Sequence, residues 1–341
     1  MGKNQKIVGA LSLRAKIVLF FLPLVAAVLA LMIGRFSISP MTVFQSFCNL
    51  FGADYDVSAQ IETVLWSIRL PRVLLALLVG AGLSVAGCVF QSLFSNPLAT
   101  PDTLGVASGA SLGAALGLLW GFNLIGMQIL ALATGAIAVT MTYLSGKIKS
   151  NSANTIVLAG IMIGSLFQAL VSLVKFVADT ESQLPSITYW LMGSLSASGY
   201  SQLLLGAPLI LLSILLLFLL RWRLNILPLS DDEARASGTD MRLLRGVTVI
   251  CATAMTASCV SMCGQVGWVG LIVPHICRMR FGSNHLSLIP ASISVGAVFM
   301  VVVDTLARSV SAAEIPISVL TAIIGAPFFI ALLKKTGGWQ L

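Results

Sequence analysis

The sequence predicts an all-α polytopic membrane protein with about ten transmembrane helices, forming a single domain over residues 1–341. Two observations of composition lead to this prediction. Hydrophobic residues make up 57% of the chain and charged residues only 9%, and the mean hydropathy of +0.99 places it among integral membrane proteins. The third observation is that nine of the 32 charged residues fall within residues 221–245, between long apolar runs.

The apolar runs divide into ten candidate spans, since about 20 residues cross a hydrocarbon core of ~30 Å. The eighth and tenth are short and contain Pro274 and Pro327. The first follows four basic residues, as a secretory signal would, but its 18 residues are more than a usual signal core, and we interpret it as a retained helix. The spans cover roughly residues 17–34, 73–94, 103–120, 124–145, 155–177, 202–220, 246–263, 266–279, 286–303 and 317–333.

The distribution of basic residues predicts the orientation in the membrane. Ten crossings that start inside place 15 of the 20 Lys and Arg residues on the inner side and five on the outer side. This asymmetry follows the positive-inside rule. Both termini and residues 221–245 are therefore expected on the cytoplasmic side. The net charge of +8 reflects topology and does not indicate a nucleic-acid-binding protein.

Residues 221–245 are expected to form a water-exposed element against the inner face of the membrane. Each charge would cost several kcal/mol in hydrocarbon, so the segment cannot be a span. It contains helix-forming residues and charges of both signs. Such a polar segment in the middle of a polytopic protein is typical of a docking surface for a soluble partner.

The polar residues argue against catalysis or a metal site in this chain. There is no phosphate-binding GxxxxGK[ST] loop, and the two histidines, His275 and His285, match no zinc-protease spacing. The six cysteines form no CxxC pair and are interpreted as small buried hydrophobes. Mid-membrane carboxylates, which an ion-coupled carrier would need, are also missing from the predicted spans. The acidic residues nearest to spans map to their ends: Asp102, Asp179, Glu181, Asp304 and Glu314.

Several spans contain features that break or tighten a helix. Pro97 and Pro101 are expected to end the second span, and Asp102 to cap the third. Four glycines at four-residue spacing give the third span a face for close helix packing. Pro274 and Pro327 interrupt spans, which frees backbone groups that protein or a water-lined cavity must satisfy. Short, broken spans of this kind indicate a translocation path.

Three motifs occur in order along the chain. The first runs from Arg69-Leu-Pro-Arg72 to Asn96-Pro-Leu-Ala99, and the second from Gly264-Gln-Val-Gly-Trp-Val-Gly270 to His275. The third runs from Glu314-Ile-Pro316 to Phe329. Together they resemble the FecCD family of bacterial ABC-transporter permeases, which import iron–siderophore complexes, haem and cobalamin. The resemblance covers about residue 60 to residue 335 and includes Ala234-Arg-Ala-Ser-Gly238, which is similar to the family's coupling loop.

The resemblance implies the fold and the partners of a type II ABC importer. The chain would be the transmembrane permease subunit in a bacterial cytoplasmic membrane, working as a homodimer or close heterodimer. Two cytoplasmic ATPase subunits would bind ATP and Mg²⁺, and one extracytoplasmic binding protein would deliver the substrate. The expected substrate is a metal chelate, with an iron–siderophore complex first, followed by haem, cobalamin or an oxyanion such as molybdate.

The resemblance also implies roles for particular residues. Arg69, Arg72 and Arg308 would bind acidic residues of the binding protein, whereas the residues alone favour snorkelling or local pairing with Glu62 or Asp304. The family's fifth and tenth spans line the passage, which implicates Thr321, Ile324 and Phe328 in the tenth. Coupling to the ATPase is expected at Leu229, Asp232, Glu233, Ala234, Arg235 and Gly238.

The residues also allow interpretations of one further segment and one histidine, and they leave two alternative functions open. Residues 179–193 are interpreted as an interfacial aromatic belt or as a short helix at the outer mouth of the pore. His275 is expected to be a structural hydrogen-bonding group. The alternative functions are a secondary transporter with inverted repeats and a membrane enzyme.

Overall fold

Every regular element of the described structure is helical. The computed structural model describes residue 9 and residues 11–146, 153–196, 199–229, 231–311 and 313–335. A π-helical stretch at Thr63–Arg69 leads into the second span, and a 3₁₀ turn lies at Arg223–Ile226. The α-helices in these ranges are α1 (Leu13–Met32), α2 (Pro40–Asn49), α3 (Ala59–Glu62), α4 (Leu70–Leu93), α5 (Val106–Leu119), α6 (Leu124–Gly146), α7 (Ala153–Val177), α8 (Gln183–Leu191), α9 (Tyr200–Leu220), α10 (Asp231–Ala236), α11 (Met241–Cys263), α12 (Val269–Phe281), α13 (His285–Val310) and α14 (Ile317–Lys335).

Ten of these helices correspond one to one with the ten predicted spans, namely α1, α4, α5, α6, α7, α9, α11, α12, α13 and α14. Within the described ranges, seven segments are long and apolar enough to cross a membrane, including a continuous helical run from Ala59 to Leu93. Of the two spans expected to be short, α12 has 13 residues and α14 has 19.

The third span, α5, is also short, with 14 residues. The chain leaves α4 through an irregular connection at residues 94–105 that contains Pro97 and Pro101. Gly105 then adopts a φ of +77° at the start of α5, a conformation that favours glycine. The predicted cap is wrong, because the side chain of Asp102 bonds to Gln265 and makes no cap bond to α5.

The elements between spans are more structured than the sequence predicted. Ser39 caps α2 by accepting a hydrogen bond from the backbone N–H of Thr42 at 3.1 Å. Residues 179–193 form the short helix α8, one of the two interpretations of this segment. A six-residue helix, α10, lies within the charged segment.

Helix α4 lies at the centre of the bundle. Nineteen of its 24 residues are buried, and it contacts α1, α9, α11, α12 and α13. Small residues allow these helices to approach α4 closely. Gly80 lies against the backbone of Gly296 in α13, and Gly87 lies against the backbone of Gly270 in α12. The predicted glycine face of α5 packs closely against α6.

We expect Gly87→Ala to destabilise the protein by about 1–3 kcal/mol, because overpacking forces shifts in a close-packed interior. The added Cβ would meet the carbonyl of Gly270. The matched control is Gly246→Ala in α11, where nothing lies within 4 Å of an added Cβ and alanine favours a helix. The unfolding temperature of the purified protein should fall for Gly87→Ala only. Equal values for the two variants would contradict this packing.

Candidate functional site

The charged segment folds into short helical pieces that are held against the bundle. After the 3₁₀ turn and α10, the chain turns at Gly238, whose φ is +71°. Asp240 then caps α11 by accepting hydrogen bonds from the backbone N–H groups of Arg242 (2.9 Å) and Leu243 (3.2 Å). Gly238 therefore forms the tight turn between α10 and α11.

The residues predicted to couple to an ATPase differ in exposure. Leu229 is 41% exposed, and Glu233 and Gly238 are exposed as well. Ala234, by contrast, is fully buried, so it anchors α10 on the bundle and cannot contact a partner. The side chains of Asp232 and Arg235 lie outside the described part of the structure.

A buried polar network ties the start of this segment to the bundle. The Oδ1 of Asn225 accepts from the backbone N–H of His285 at 2.9 Å and lies 3.0 Å from its ring Nδ1. The other ring nitrogen of His285 lies 2.7 Å from the hydroxyl of Ser92, at the inner end of α4. Asn225 therefore connects the charged segment to both α13 and α4. No local pattern in the sequence indicates this network, because its three members are far apart in the chain.

The three outer arginines are buried, with exposed fractions of 4% for Arg69, 6% for Arg72 and 7% for Arg308. The Nε of Arg72 donates to Asp304 at 2.9 Å, and its two terminal nitrogens donate to the carboxylate of Glu314 at 3.0 Å each. Arg308 also pairs with Asp304, at 3.6 Å. The bidentate contact joins α4 to the connector between α13 and α14.

The two remaining guanidinium groups hold the outer end of α1. Arg69 donates to the carbonyls of Leu31 (2.6 Å) and Phe36, and Arg308 donates to the carbonyl of Ala30. Cations at a helix C-terminus are stabilising, because the last carbonyls lack partners within the helix. The prediction that these three arginines dock a binding protein is corrected accordingly, since all three are buried and donate into the protein. Pairing with Asp304, the alternative from the sequence, is the arrangement found for Arg72 and Arg308.

Helix α7 carries a polar stripe on an exposed face. Ser165, Gln168 and Ser172 are exposed and follow one another at helical spacing on this face. A separate face carries the exposed apolar residues Met162 and Leu173. An exposed glutamine in the middle of a span is costly against lipid, so the polar stripe is suited to a water-filled passage.

The tenth span, α14, turns only part of the predicted passage face outward. Ile324 is 37% exposed and Phe328 is partly exposed. Thr321 is fully buried, and its hydroxyl donates to the carbonyl of Ser318 at 3.1 Å. Thr321 therefore faces the protein, which corrects its assignment to the passage.

The outer end of α14 is held by the end of α8. The backbone N–H of Ile317 donates to the carbonyl of Gly193 at 2.9 Å, and the hydroxyl of Ser318 donates to the carbonyl of Met192 at 2.6 Å. The first N–H groups of a helix have no acceptor within that helix, and here the carbonyl of Gly193 accepts from one of them. Farther along α14, Phe329 packs against the ring of His275 in α12, at 5.8 Å between centroids.

The sequence of this chain is similar to those of known transport proteins. A family model described as the FecCD transport family matches residues 22–335. The chain belongs to this family. It is 42% identical over 318 residues to the molybdate import system permease protein MolB of Haemophilus influenzae, covering 93% of this chain and 94% of that protein. It is 37% identical over 320 residues to a probable iron chelatin transport system permease protein of Helicobacter pylori, covering 92% and 96% of the two chains.

A solved structure confirms the fold class of this FecCD permease. A metal-chelate type ABC transporter in an inward-facing conformation matches 94% of this chain and 99% of that chain, with a TM-score of 0.84 and 41% sequence identity. The predicted permease fold of a type II ABC importer is therefore confirmed. The protein is a multi-pass membrane permease of an ABC importer family, and the alternative of a secondary transporter is not retained.

We expect Asp304→Asn to lower the free energy of unfolding of this permease by about 3 kcal/mol or more, because it leaves buried guanidinium charges without their carboxylate. The unfolding temperature of the purified protein should fall accordingly. Glu181→Gln, which changes an exposed acid between α7 and α8, is the control and should have no effect. If Asp304→Asn were as stable as wild type, the arginines would be available to a partner after all.

Proposed function

We propose that this chain is the permease subunit of an ATP-driven importer that carries a metal chelate, with an iron–siderophore complex as the first candidate. The observation that supports this best is the exposed polar stripe of α7. It occurs in a chain that belongs to the FecCD family and whose charged segment is bonded to the same helix bundle. No covalent chemistry occurs in the chain under this proposal. ATP and Mg²⁺ would be bound by separate ATPase subunits.

Two ATPase subunits would dock on the charged segment from the cytoplasm. Exposed Leu229 and Glu233 offer an apolar and an acidic contact, and the Gly238 turn separates α10 from α11. The Asn225–His285–Ser92 contacts give a path by which movement of the segment reaches α4. Binding of ATP would then shift the balance between outward-open and inward-open states.

A second permease subunit, identical in the simplest case, would complete the passage. In the described part of the single chain, the exposed polar stripe of α7 and the outward residues of α14 lack a facing wall. A two-fold copy would place two such surfaces around one axis. An extracytoplasmic binding protein would deliver the substrate. Both termini would lie in the cytoplasm of a bacterial cell, an orientation that the distribution of basic residues supports.

The exposed side chains of the polar stripe are suited to a bulky cargo. Its hydroxyls and amide are neutral, and Ile324 and Phe328 add apolar surface. Such a surface can pass a large chelate whose recognition is left to the binding protein. Molybdate is the second candidate, favoured by the 42% identity to MolB and by the half-buried Lys175 one turn beyond Ser172. Uptake of iron from a siderophore complex, compared with uptake of molybdate by the reconstituted transporter, separates the two.

We expect Gly238→Val to uncouple the transporter. A β-branched residue at this positive φ is strained by roughly 1–2 kcal/mol or more, so the turn before α11 must change. Substrate uptake and co-purification of the ATPase should both fall, while membrane insertion stays normal because nothing lies within 4 Å of an added Cβ. The matched control is Gly238→Asn, since asparagine tolerates this conformation. Normal uptake and normal ATPase binding in Gly238→Val would refute the coupling role.

We expect a cysteine at Ser172 to react with a small water-soluble thiol reagent in the assembled transporter. The neighbouring variant Leu173→Cys should stay unreactive, because Leu173 lies on the apolar face of α7. Both are made in a background without the six native cysteines. The labelling rate at position 172 should change between nucleotide states. Equal labelling at the two positions, or none at position 172 in any state, would place the passage elsewhere.

A further inference from the structure

A large groove opens beside the charged segment, between α6 and α11. Its volume is about 1200 Å³. The inner end of α4, with Leu93 and Phe94, forms one wall, and Tyr143 of α6 and Ile156 of α7 form another. Both ends of the charged segment, Leu227–Leu229 and Thr239–Met241, also line the groove.

The first three turns of α11 give the groove a polar end and an apolar end. Arg242 and Arg245 line it at the start of the helix, three residues apart and therefore on neighbouring positions of one face. Val249 and Ile250 line it farther along, and Ile250 is 69% exposed. From Arg245 to Ile250 the helix rises about 7.5 Å, which is enough to pass from headgroup depth into hydrocarbon.

Gly246 lies between the two ends and keeps the groove open. It lines the groove, and nothing lies within 4 Å of the position that a Cβ would take. A larger side chain here would project into the groove without displacing any part of the protein. Asp240, the acidic residue of the lining, has its Oδ1 occupied by the backbone N–H groups of Arg242 and Leu243.

We propose that this groove binds one anionic phospholipid of the cytoplasmic leaflet. The two arginines would hold the headgroup phosphate, and an acyl chain would lie along Gly246, Val249 and Ile250. Arginine is suited to this role because its planar group donates two parallel hydrogen bonds to a phosphate. The proposal rests on the proposed orientation, in which residues 221–245 face the cytoplasm.

The depth of the apolar end favours a lipid over a soluble partner. An ATPase subunit can reach Leu229 and Arg242 at the membrane surface, but it cannot reach Ile250 within the predicted seventh span. Because the groove is bounded by both ends of the charged segment, a bound lipid would contact the element that the ATPase is proposed to move. Coupling should therefore depend on the anionic lipid content of the membrane.

The test uses the full-length chain, purified in a mild detergent from a membrane that contains phosphatidylglycerol and phosphatidylethanolamine. Native mass spectrometry counts the lipids that stay bound and identifies their headgroups. Three variants are compared with wild type: Gly246→Leu, the double variant Arg242→Gln with Arg245→Gln, and the control Arg280→Gln. Arg280 is an exposed arginine at the inner end of α12 that does not line the groove.

Wild type and Arg280→Gln should retain one phosphatidylglycerol molecule. The double variant should bind it about 30-fold more weakly, which corresponds to roughly 1 kcal/mol for each basic side chain near an anionic surface. Gly246→Leu should also lose it, and its unfolding temperature in lipid-free detergent should not fall, because leucine favours a helix more than glycine does. Free inorganic phosphate, added in excess, should not displace the lipid.

Other outcomes overturn the proposal. Equal retention by all four proteins, or retention of the zwitterionic lipid to the same extent, would mean that the groove holds no specific anionic lipid. Loss of the lipid when the ATPase subunits are added would show that a protein occupies the groove. A wild-type transporter that couples normally in vesicles of phosphatidylcholine alone would refute the role in coupling and leave the proposed transport function standing.

Discussion

The absence of water in the bilayer is the constraint on which the rest of this structure depends. Every backbone polar group and every charge at membrane depth must find its partner inside the protein. The long helices satisfy this condition by themselves. The broken ones cannot, and the protein supplies the missing partners from elsewhere: Gln91 of α4 donates to the carbonyl of Gly270 at 3.1 Å, and the carbonyls of Met192 and Gly193 receive the first polar groups of α14. These contacts fix where the short spans begin.

Helix α4 gathers several of these contacts and connects the two sides of the membrane. At its outer end Arg72 bonds to Glu314, in the connector that leads into α14. At its inner end Ser92 contacts His285, which is bonded to Asn225 in the charged segment. Between these ends, Gly80 and Gly87 pack α4 against the backbones of α13 and α12. Because α4 is packed closely along its whole length, a displacement at one end should move the other end. We therefore expect α4 to connect the proposed coupling segment with the proposed passage.

The arginines Arg69, Arg72 and Arg308 show that a resemblance in sequence can identify a family without predicting which side chains are exposed. The motif that contains Arg69 and Arg72 identified the family correctly, and the family model covers it. The docking role that the resemblance implied requires exposed guanidinium groups, and exposure is a property of packing. In this chain two carboxylates and the last carbonyls of α1 take up these groups. Because Asp304 and Glu314 lie more than 200 residues from Arg72 in the chain, no local pattern could have shown which of the possible partners would be reached.

The helical class and the ten apolar segments that form helices could be predicted from the sequence, and the side of the membrane that the charged segment faces stays a prediction. These follow from hydropathy and from the count of basic residues, which act locally and need no knowledge of neighbours. The sequence also located the break at Pro97, because proline restricts the backbone on both sides of it. The interruptions expected at Pro274 and Pro327 are not found, since α12 and α14 continue through these residues. The tertiary structure alone decided that Thr321 and Ala234 point inward, that Asp102 bonds to Gln265, and that a groove opens beside α11. Which face of a helix is buried depends on what packs against it, and the residues that pack together here are separated by up to hundreds of positions.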